Sequence, residues 1–152
     1  MSEVGYLLSD CARQMRRVFD ERMRQIGVTG PQARLMMLLS RREGEQQGFY
    51  AGELDVEPIT LCRMVDRMVD AGLVERRADP SDRRARLLYP TAKALNNMDE
   101  LESAIDKLRT DVHSAFAPSE LETLRQLLGQ LSKNLAELQA PTDDNGKQAT
   151  YG

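Results

Sequence analysis

The chain has few of the residues on which catalytic and metal sites depend. Its 152 residues include one histidine, two cysteines and no tryptophan. The cysteines, Cys11 and Cys62, form no metal-binding spacing, and His113 alone gives little basis for catalysis or metal binding. The sequence also has no paired nucleophile and base and no phosphate-binding glycine loop. These absences predict a protein that is not an enzyme and has no cofactor.

Long apolar runs are also missing. No segment approaches the roughly 20 apolar residues of a membrane-spanning helix, and the N-terminus lacks the pattern of a signal peptide. We therefore expect a cytoplasmic protein with no membrane partner. Hydrophobic residues make up 41% of the chain and charged residues 30%, a balance typical of a folded protein. One domain is expected over residues 1–140, followed by a disordered tail at 141–152.

The chain has a slight excess of acidic residues, but net positive charge is concentrated in two segments. The net charge is −3, yet residues 1–42 carry +4 and residues 60–93 carry +3. The intervening residues 43–59 and the final residues 94–152 each carry −5. Local charge governs contact with phosphates. Every basic residue before Lys93 is an arginine, the cation suited to bidentate contact with phosphates and base edges.

Hydrophobic periodicity predicts a series of helices interrupted by one hairpin. The predicted helices span residues 4–26, 31–41, 49–54, 58–71, 91–116 and 120–138. Two strands are predicted at 73–78 and 85–89, around a loop at 79–84. Thr29 and Gln32 fit a capping box at the start of the second helix. The inner face predicted for the fourth helix consists of Ile59, Cys62, Met64 or Val65, Met68 and Val69.

This order of elements predicts a mainly α fold with a small β-wing. A winged helix-turn-helix lobe is expected at about 31–90, and a dimerisation lobe from the helices at 4–26 and 91–138. The terminal helices carry more apolar surface than a lobe of this size needs, which favours a homodimer. The alternative is that these helices pack on one another within one chain. Cys11 and Cys62 are expected to be buried as small hydrophobes, with redox sensing by Cys11 as the alternative.

The helix at 58–71 is the predicted recognition helix. In a helix-turn-helix, the second helix enters the major groove of DNA by its N-terminal turn. The first three residues of this helix can touch thymine methyls or support phosphate contacts, and the first arginine can reach a guanine edge or a phosphate. The DNA contacts predicted on this helix are Pro58, Ile59, Thr60, Arg63 and Arg67.

The hairpin is the second predicted DNA contact. Its contacts are Asp82, Arg83, Arg84 and Arg86. A hairpin tip is narrow enough for the minor groove, where negative potential attracts arginine. We expect Asp82 to orient the guanidinium of Arg84, which enters the groove.

Each of these interpretations has a plainer alternative. Arg63 and Arg67 could pair with Asp66 and Asp70 on a solvated helix face, and the hairpin could be a charged surface loop. On the first wing strand, one of two adjacent arginines is expected to contact phosphate or to form an internal ion pair. The chain as a whole could be a protein–protein adaptor on a winged-helix scaffold rather than a DNA-binding protein.

The chain resembles the MarR family of winged helix-turn-helix regulators, including its SlyA-like branch. The resemblance covers residues 7–138 and rests on VTGPQ at 28–32, LDVEPIT at 54–60, RMVDRM at 63–68, AGLVER at 71–76, DPSDRR at 79–84 and TAK at 91–93. It implies a homodimer that binds inverted-repeat operators, and we expect the chain to act as a repressor. It also implies release of DNA by a small anionic or phenolic ligand or by an oxidant.

The resemblance also suggests where an effector could bind. In the SlyA-like branch, an arginine near the start of the first helix helps to hold an aromatic carboxylate. Arg13 and Arg17 are candidates for this role, with Arg63 reaching the same crevice, although ion pairs along the first helix are the alternative. The sequence departs from the family pattern at the glycine-rich helix 49–54 and at Pro90, which replaces the usual apolar residue.

Overall fold

A computed structural model describes residues 2–139. The predicted tail at 141–152 lies outside the described residues. In chain order the elements are α1 (Glu3–Gln25), α2 (Gly30–Arg41), α3 (Gln47–Glu53), α4 (Pro58–Asp70), β1 (Val74–Asp79), β2 (Asp82–Pro90), α5 (Ala92–Asn96), α6 (Met98–His113) and α7 (Pro118–Gln139). The fold is therefore mainly α with a two-stranded wing, as predicted. The chain divides into two compact units after Thr110.

One core holds the first unit together. It draws side chains from α1, α2, α3, α4 and the wing, and its fully buried large residues are Met23, Leu35, Leu39, Tyr50, Leu61, Val65, Met68 and Leu88. No charged side chain is buried among the described residues. Because α4 and β2 share this core, the position of the wing relative to α4 is fixed by packing.

The start of α2 is fixed by local hydrogen bonds. The Thr29 hydroxyl accepts from the Gln32 backbone N–H at 3.2 Å, and the Gln32 side-chain oxygen accepts from the Thr29 N–H at 3.2 Å. This confirms the predicted capping box. A Cβ at Gly30 would collide with the Asp20 carboxylate, so a larger residue here would require that side chain to move. That carboxylate also binds Arg34 of α2 at 3.3 Å, so α1 and α2 meet closely at this point.

The buried face of α4 differs from the predicted one. Leu61, Val65 and Met68 are fully buried, whereas Ile59 is 60% exposed and Cys62 is half-buried. A helix turns about 100° per residue, so Ile59 lies about 200° from Leu61. The prediction for Ile59 as an inner residue was therefore wrong, because an alternative stripe through Leu61 matches the core better.

The wing strands are longer than predicted but irregular near the tip. They pair antiparallel in regular register from Val74 with Pro90 to Ala78 with Arg86, and a register shift follows before Asp79 pairs with Asp82. The predicted loop at 79–84 is thus shortened to the two residues between β1 and β2, although residues 83–85 have no partner on β1. The Asp79 carboxylate accepts from both the backbone N–H and the hydroxyl of Ser81, at 2.9 and 2.7 Å. This side-chain turn closes the tip of the hairpin.

The long helix predicted at 91–116 is interrupted. α5 ends at Asn96 and α6 begins at Met98, with Asn97 as the C-cap between them. Asparagine is a poor helix former, because its side chain competes for nearby backbone groups. Thr91 caps α5 by accepting from the Ala94 N–H at 3.2 Å and donates to the Gly72 carbonyl at 2.5 Å.

Apolar stripes near both ends of the chain remain exposed. Met23 is the one buried residue of α1, and no residue of α7 is buried. Cys11 is exposed, so its predicted burial was wrong, because the N-terminal half of α1 has no cover within the described chain. The exposed apolar residues of the two helices are Val4, Tyr6, Leu7, Met15 and Val18 on α1, and Leu124, Leu127, Leu128, Leu135 and Leu138 on α7.

Candidate nucleic-acid interface

The outward face of α4 carries two arginines without carboxylate partners. Arg63 and Arg67 are both exposed, and neither forms an ion pair with any residue between 2 and 139. The alternative pairing of Arg63 with Asp66 does not occur, because Asp66 binds Arg76 of β1 instead. Both guanidinium groups are therefore available to an anion outside the chain.

Arg76 connects the wing to the helices. Its Nη2 lies 2.6 Å from Oδ1 of Asp66 and 3.4 Å from the carbonyl oxygen of Cys62, and its Nε lies 3.2 Å from Oε1 of Gln47. These contacts join β1 to α4 and α3. Of the two arginines on the first wing strand, Arg76 therefore forms the expected internal ion pair.

Arg77 is also engaged within the wing. Its Nε binds Glu75 at 3.1 Å, and its guanidinium carbon lies 3.9 Å from the centre of the Tyr89 ring. The hydrogen bond that Arg77 donates to the Glu75 carboxylate raises the pKa of Arg77. Like Arg76, this side chain is used to stabilise the wing.

Unlike Arg76 and Arg77, the arginines toward the wing tip bind no carboxylate among the described residues. Arg83 and Arg84 are exposed, and neither guanidinium has a partner among the described residues. Arg86 donates from Nη1 to the carbonyl oxygens of Arg83 and Ala85, at 3.4 and 3.2 Å, and binds no carboxylate in this part of the chain. Three cationic groups are therefore presented along the first half of β2.

Asp82 acts on the backbone rather than on a guanidinium. Its Oδ1 accepts from the backbone N–H of Arg84 at 2.9 Å. The expected orientation of the Arg84 guanidinium by Asp82 is therefore not observed. A carboxylate two residues before an N–H readily closes an Asx-type turn, and this local bond competes with a longer reach to the side chain.

The wing and α4 border a common groove. Its volume is about 520 Å³. The groove is lined by Gln46, Gln47 and Gly48 at the start of α3, by Cys62 and Asp66 of α4, and by Arg76, Asp82, Arg84, Ala85 and Arg86 of the wing. The structure thus places Asp82, Arg84 and Arg86 of the wing beside the predicted recognition helix, whereas Arg83 does not line the groove.

Arg63 and Arg67 lie at a second crevice, on the side of α4 that faces α2. Its volume is about 400 Å³, and its other lining residues are Thr29, Pro31, Gln32, Thr60 and Met64. Arg13 and Arg17 are not among its lining residues. Arg13 is paired with Asp10 on α1, as the alternative interpretation proposed. The structure therefore does not place the three effector candidates in one crevice.

A contact that the sequence did not indicate ties the wing to the start of α3. The Gln46 side-chain nitrogen donates to Oδ2 of Asp79 at 3.1 Å. The bonds from Ser81 and then from Gln46 hold the pKa of Asp79 below its ordinary value. Residues 46 and 79 are far apart in sequence, so no local pattern could have revealed the pair.

Two negative findings limit the chemistry of the described residues. No cluster of three histidine, cysteine, aspartate or glutamate side chains between residues 2 and 139 could hold a metal ion. Within the same range, no helix combines the length and the apolar character needed to cross a bilayer. The features that stand out are the exposed arginines of α4 and of the wing.

Known proteins share both the sequence pattern and the fold. The family model described as the MarR family matches residues 28–85, which span α2, α3, α4, β1 and the start of β2. A MarR transcriptional regulator from Methanosarcina mazei Go1 is 21% identical with a TM-score of 0.78, covering 89% of this chain and 97% of that one. A mutant MarR from E. coli is 22% identical with a TM-score of 0.77, covering 86% and 97%.

A further crystal structure contains a mutant MarR from E. coli complexed with operator DNA. It is 22% identical to this chain with a TM-score of 0.75, and the match covers 84% of this chain and 92% of that one. At these identities the structural matches establish the winged helix fold, and the sequence match at residues 28–85 lies on the elements that carry the exposed arginines. The chain is therefore similar to the MarR family in sequence over residues 28–85 and in fold over most of its length.

Proposed function

We propose that the chain is a transcriptional regulator that binds duplex DNA through α4 and the wing. One observation carries this proposal. Arg63, Arg67, Arg83 and Arg84 are exposed without a carboxylate partner in the described residues, whereas Arg76 and Arg77 next to them are paired. The exposed arginines without carboxylate partners can neutralise phosphates and reach base edges without breaking an internal ion pair.

The local charge supports the same function. The segment at 60–93 carries +3 in a chain whose net charge is −3, so its basic residues are concentrated on the elements that face the groove. The mutant MarR complexed with operator DNA has the same fold, and members of the family are transcriptional regulators rather than enzymes. We also propose that the protein acts in the cytoplasm as a repressor.

We infer that the regulator binds a palindromic operator as a homodimer. Val4, Leu7, Met15 and Val18 follow one another at helical spacing along α1, and all are more than 40% exposed. The exposed leucines of α7 form a second stripe of the same kind. Apolar surfaces of this extent are usually covered by a partner, and a symmetric dimer presents two recognition helices to two half-sites.

We further infer that a small aromatic or anionic effector regulates binding. The crevice of about 400 Å³ beside Arg63 and Arg67 has the size of a small-molecule site. An anion held there would compete with DNA phosphates for the same guanidinium groups. Arg13 and Arg17 stay weaker candidates, because Arg13 already binds Asp10.

Selection of genomic DNA fragments by the purified full chain tests the function directly. We expect recovery of fragments that share an inverted repeat, followed by their release when small aromatic acids are screened. An adaptor protein would recover no common sequence, and its wing would cross-link to protein partners instead. Recovery of unrelated fragments with no shared repeat would contradict the proposed function.

A further inference from the structure

The first turn of α4 exposes an isoleucine on the side of the helix away from the core. Ile59 is 60% exposed and does not belong to the cluster that buries Leu61 and Val65. With about 100° of rotation per residue, Ile59 and Arg63 lie on the same outward face. This face therefore begins with a branched apolar side chain and continues, one turn later, with an arginine that has no ion pair in the described chain.

The two neighbours of Ile59 have other environments. Thr60 lines the crevice formed with Pro31 and Gln32 of α2. Pro58 occupies the first helical position, where the absence of its N–H costs nothing. Ile59 is a lining residue of neither crevice described above. Around the helix axis Ile59 lies about 40° from Arg63 and Thr60 about 60° on the other side, so Ile59 is the residue of this turn nearest in direction to Arg63.

The major groove offers one apolar feature to such a side chain. Thymine carries a C5 methyl group there, whereas cytosine has none and guanine presents hydrogen-bond acceptors suited to arginine. Residues four apart in a helix are separated by about 6 Å along its axis, which is close to two base-pair steps of about 3.4 Å. An isoleucine and an arginine in this arrangement can contact positions about two base pairs apart.

We propose that Ile59 reads the methyl group of a thymine in each operator half-site, within about two base pairs of the position that Arg63 contacts. The proposal rests on the DNA-binding function proposed above and adds to it a feature of the recognised sequence. The side chain is exposed in the free protein, so its apolar surface becomes buried only when DNA is bound.

Replacement of single thymines by deoxyuridine tests this contact, because the two bases differ only in the C5 methyl group. A duplex recovered by selection is labelled, and its thymines are replaced one at a time. Affinities are measured by fluorescence anisotropy for the wild-type chain and for Ile59→Ala, Ile59→Val and Thr60→Ser. At one thymine in each half-site, we expect deoxyuridine to weaken wild-type binding about fourfold, the value for one buried methyl group.

The variants assign that effect to a side chain. Ile59→Ala should bind the thymine and deoxyuridine duplexes equally well, and Ile59→Val should retain part of the difference. Thr60→Ser removes a methyl group from the neighbouring residue, so it should keep the wild-type ratio of the two affinities even if both change. Thermal melting of each variant checks the fold, which an exposed position should not disturb.

The outcomes separate this inference from the function on which it rests. If the wild-type chain binds no selected duplex, the proposed function fails and the inference fails with it. If it binds but no thymine position responds to deoxyuridine, the function stands and the inference is overturned. The inference is also overturned if Ile59→Ala keeps the full effect or if Thr60→Ser abolishes it.

Discussion

At the residue scale, the arginines of the first unit have two different uses. Arg34, Arg76 and Arg77 bind carboxylates or lie over aromatic rings and hold elements together. Arg63 and Arg84 have no such partner in the described residues. Sequence alone could not separate these groups, because the partner of Arg76 depends on the approach of β1 to α4. The unpaired arginines are the ones that the proposed function requires.

The hydroxyl of Tyr50 should contribute measurably to stability. The ring is fully buried, and its hydroxyl donates to the Arg42 carbonyl at 2.7 Å and accepts from the Glu45 N–H at 3.2 Å. Tyr50→Phe leaves both backbone groups without this partner, which should cost about 1–3 kcal/mol of the free energy of unfolding. Urea denaturation measures the loss. The matched control Tyr6→Phe, at a position 64% exposed, should change little, and equal effects of the two variants would contradict this role.

The wing turn should show an acid dependence at Asp79. Hydrogen bonds from Ser81 hold the pKa of this carboxyl below its ordinary value. A lowered pKa in the folded state means that the carboxylate stabilises the turn above the ordinary pKa, and that this contribution is lost as the pH falls through the lowered value. Ser81→Ala removes the hydroxyl but keeps the backbone N–H, so the pKa should rise only part of the way back.

Carbon-13 NMR titration of the aspartate carboxyl groups measures that shift. Ser114→Ala is the control, because its hydroxyl binds the Asp111 carbonyl, far from Asp79 in sequence. A pKa of Asp79 that is the same in the wild type and in Ser81→Ala would show that the hydroxyl does not stabilise the carboxylate.

At the scale of elements, two helix starts were predicted correctly from local signals, whereas a helix break and the exposure of a cysteine were not. The capping box at Thr29 and the start of α4 at Pro58 depend on adjacent residues, and the structure confirms both. The break at Asn97 and the exposure of Cys11 depend on competition between helix propensity, capping and cover by other elements. Hydrophobic periodicity alone carries no information on that competition. The prediction based on it therefore merged α5 and α6 into one helix and placed Cys11 in a core.

The bracing helix α3 should be easy to stabilise. Gly48 and Gly52 lie inside it, and a Cβ built at either position meets no atom within 4 Å. Gly48→Ala and Gly52→Ala should therefore each raise the free energy of unfolding by about 0.5–1 kcal/mol. Gly27→Ala is the control, since a Cβ there is equally free of contacts but φ is +84°. That variant should destabilise the chain, and a loss of stability in both α3 variants would contradict the assignment of a regular helix.

At the scale of the whole molecule, the exposed apolar stripes are the feature that one chain leaves unexplained. A charge placed in the α7 stripe should weaken the proposed dimer, because Leu128→Glu would bury a carboxylate in an apolar interface. Gln130→Glu introduces the same charge about 200° away around the helix and should have little effect. Light scattering after gel filtration measures the mass. A wild-type monomer at micromolar concentration, or equal masses for both variants, would contradict the dimer.

The proposed function requires that the unpaired arginines of α4 and the wing bind DNA phosphates and bases. The most direct test compares operator affinity against salt concentration for the wild type, Arg84→Ala and Arg125→Ala. Arg125 is a suitable control because it is already paired with Glu122 on α7. The logarithm of the wild-type affinity should fall steeply with the logarithm of salt concentration.

In that measurement, Arg84→Ala should weaken binding by about 1–3 kcal/mol and reduce the salt slope by about one for each protomer, whereas Arg125→Ala should leave both unchanged. A wild-type affinity that does not vary with salt, or an Arg84→Ala variant that binds as tightly as the wild type, would contradict DNA binding by these arginines.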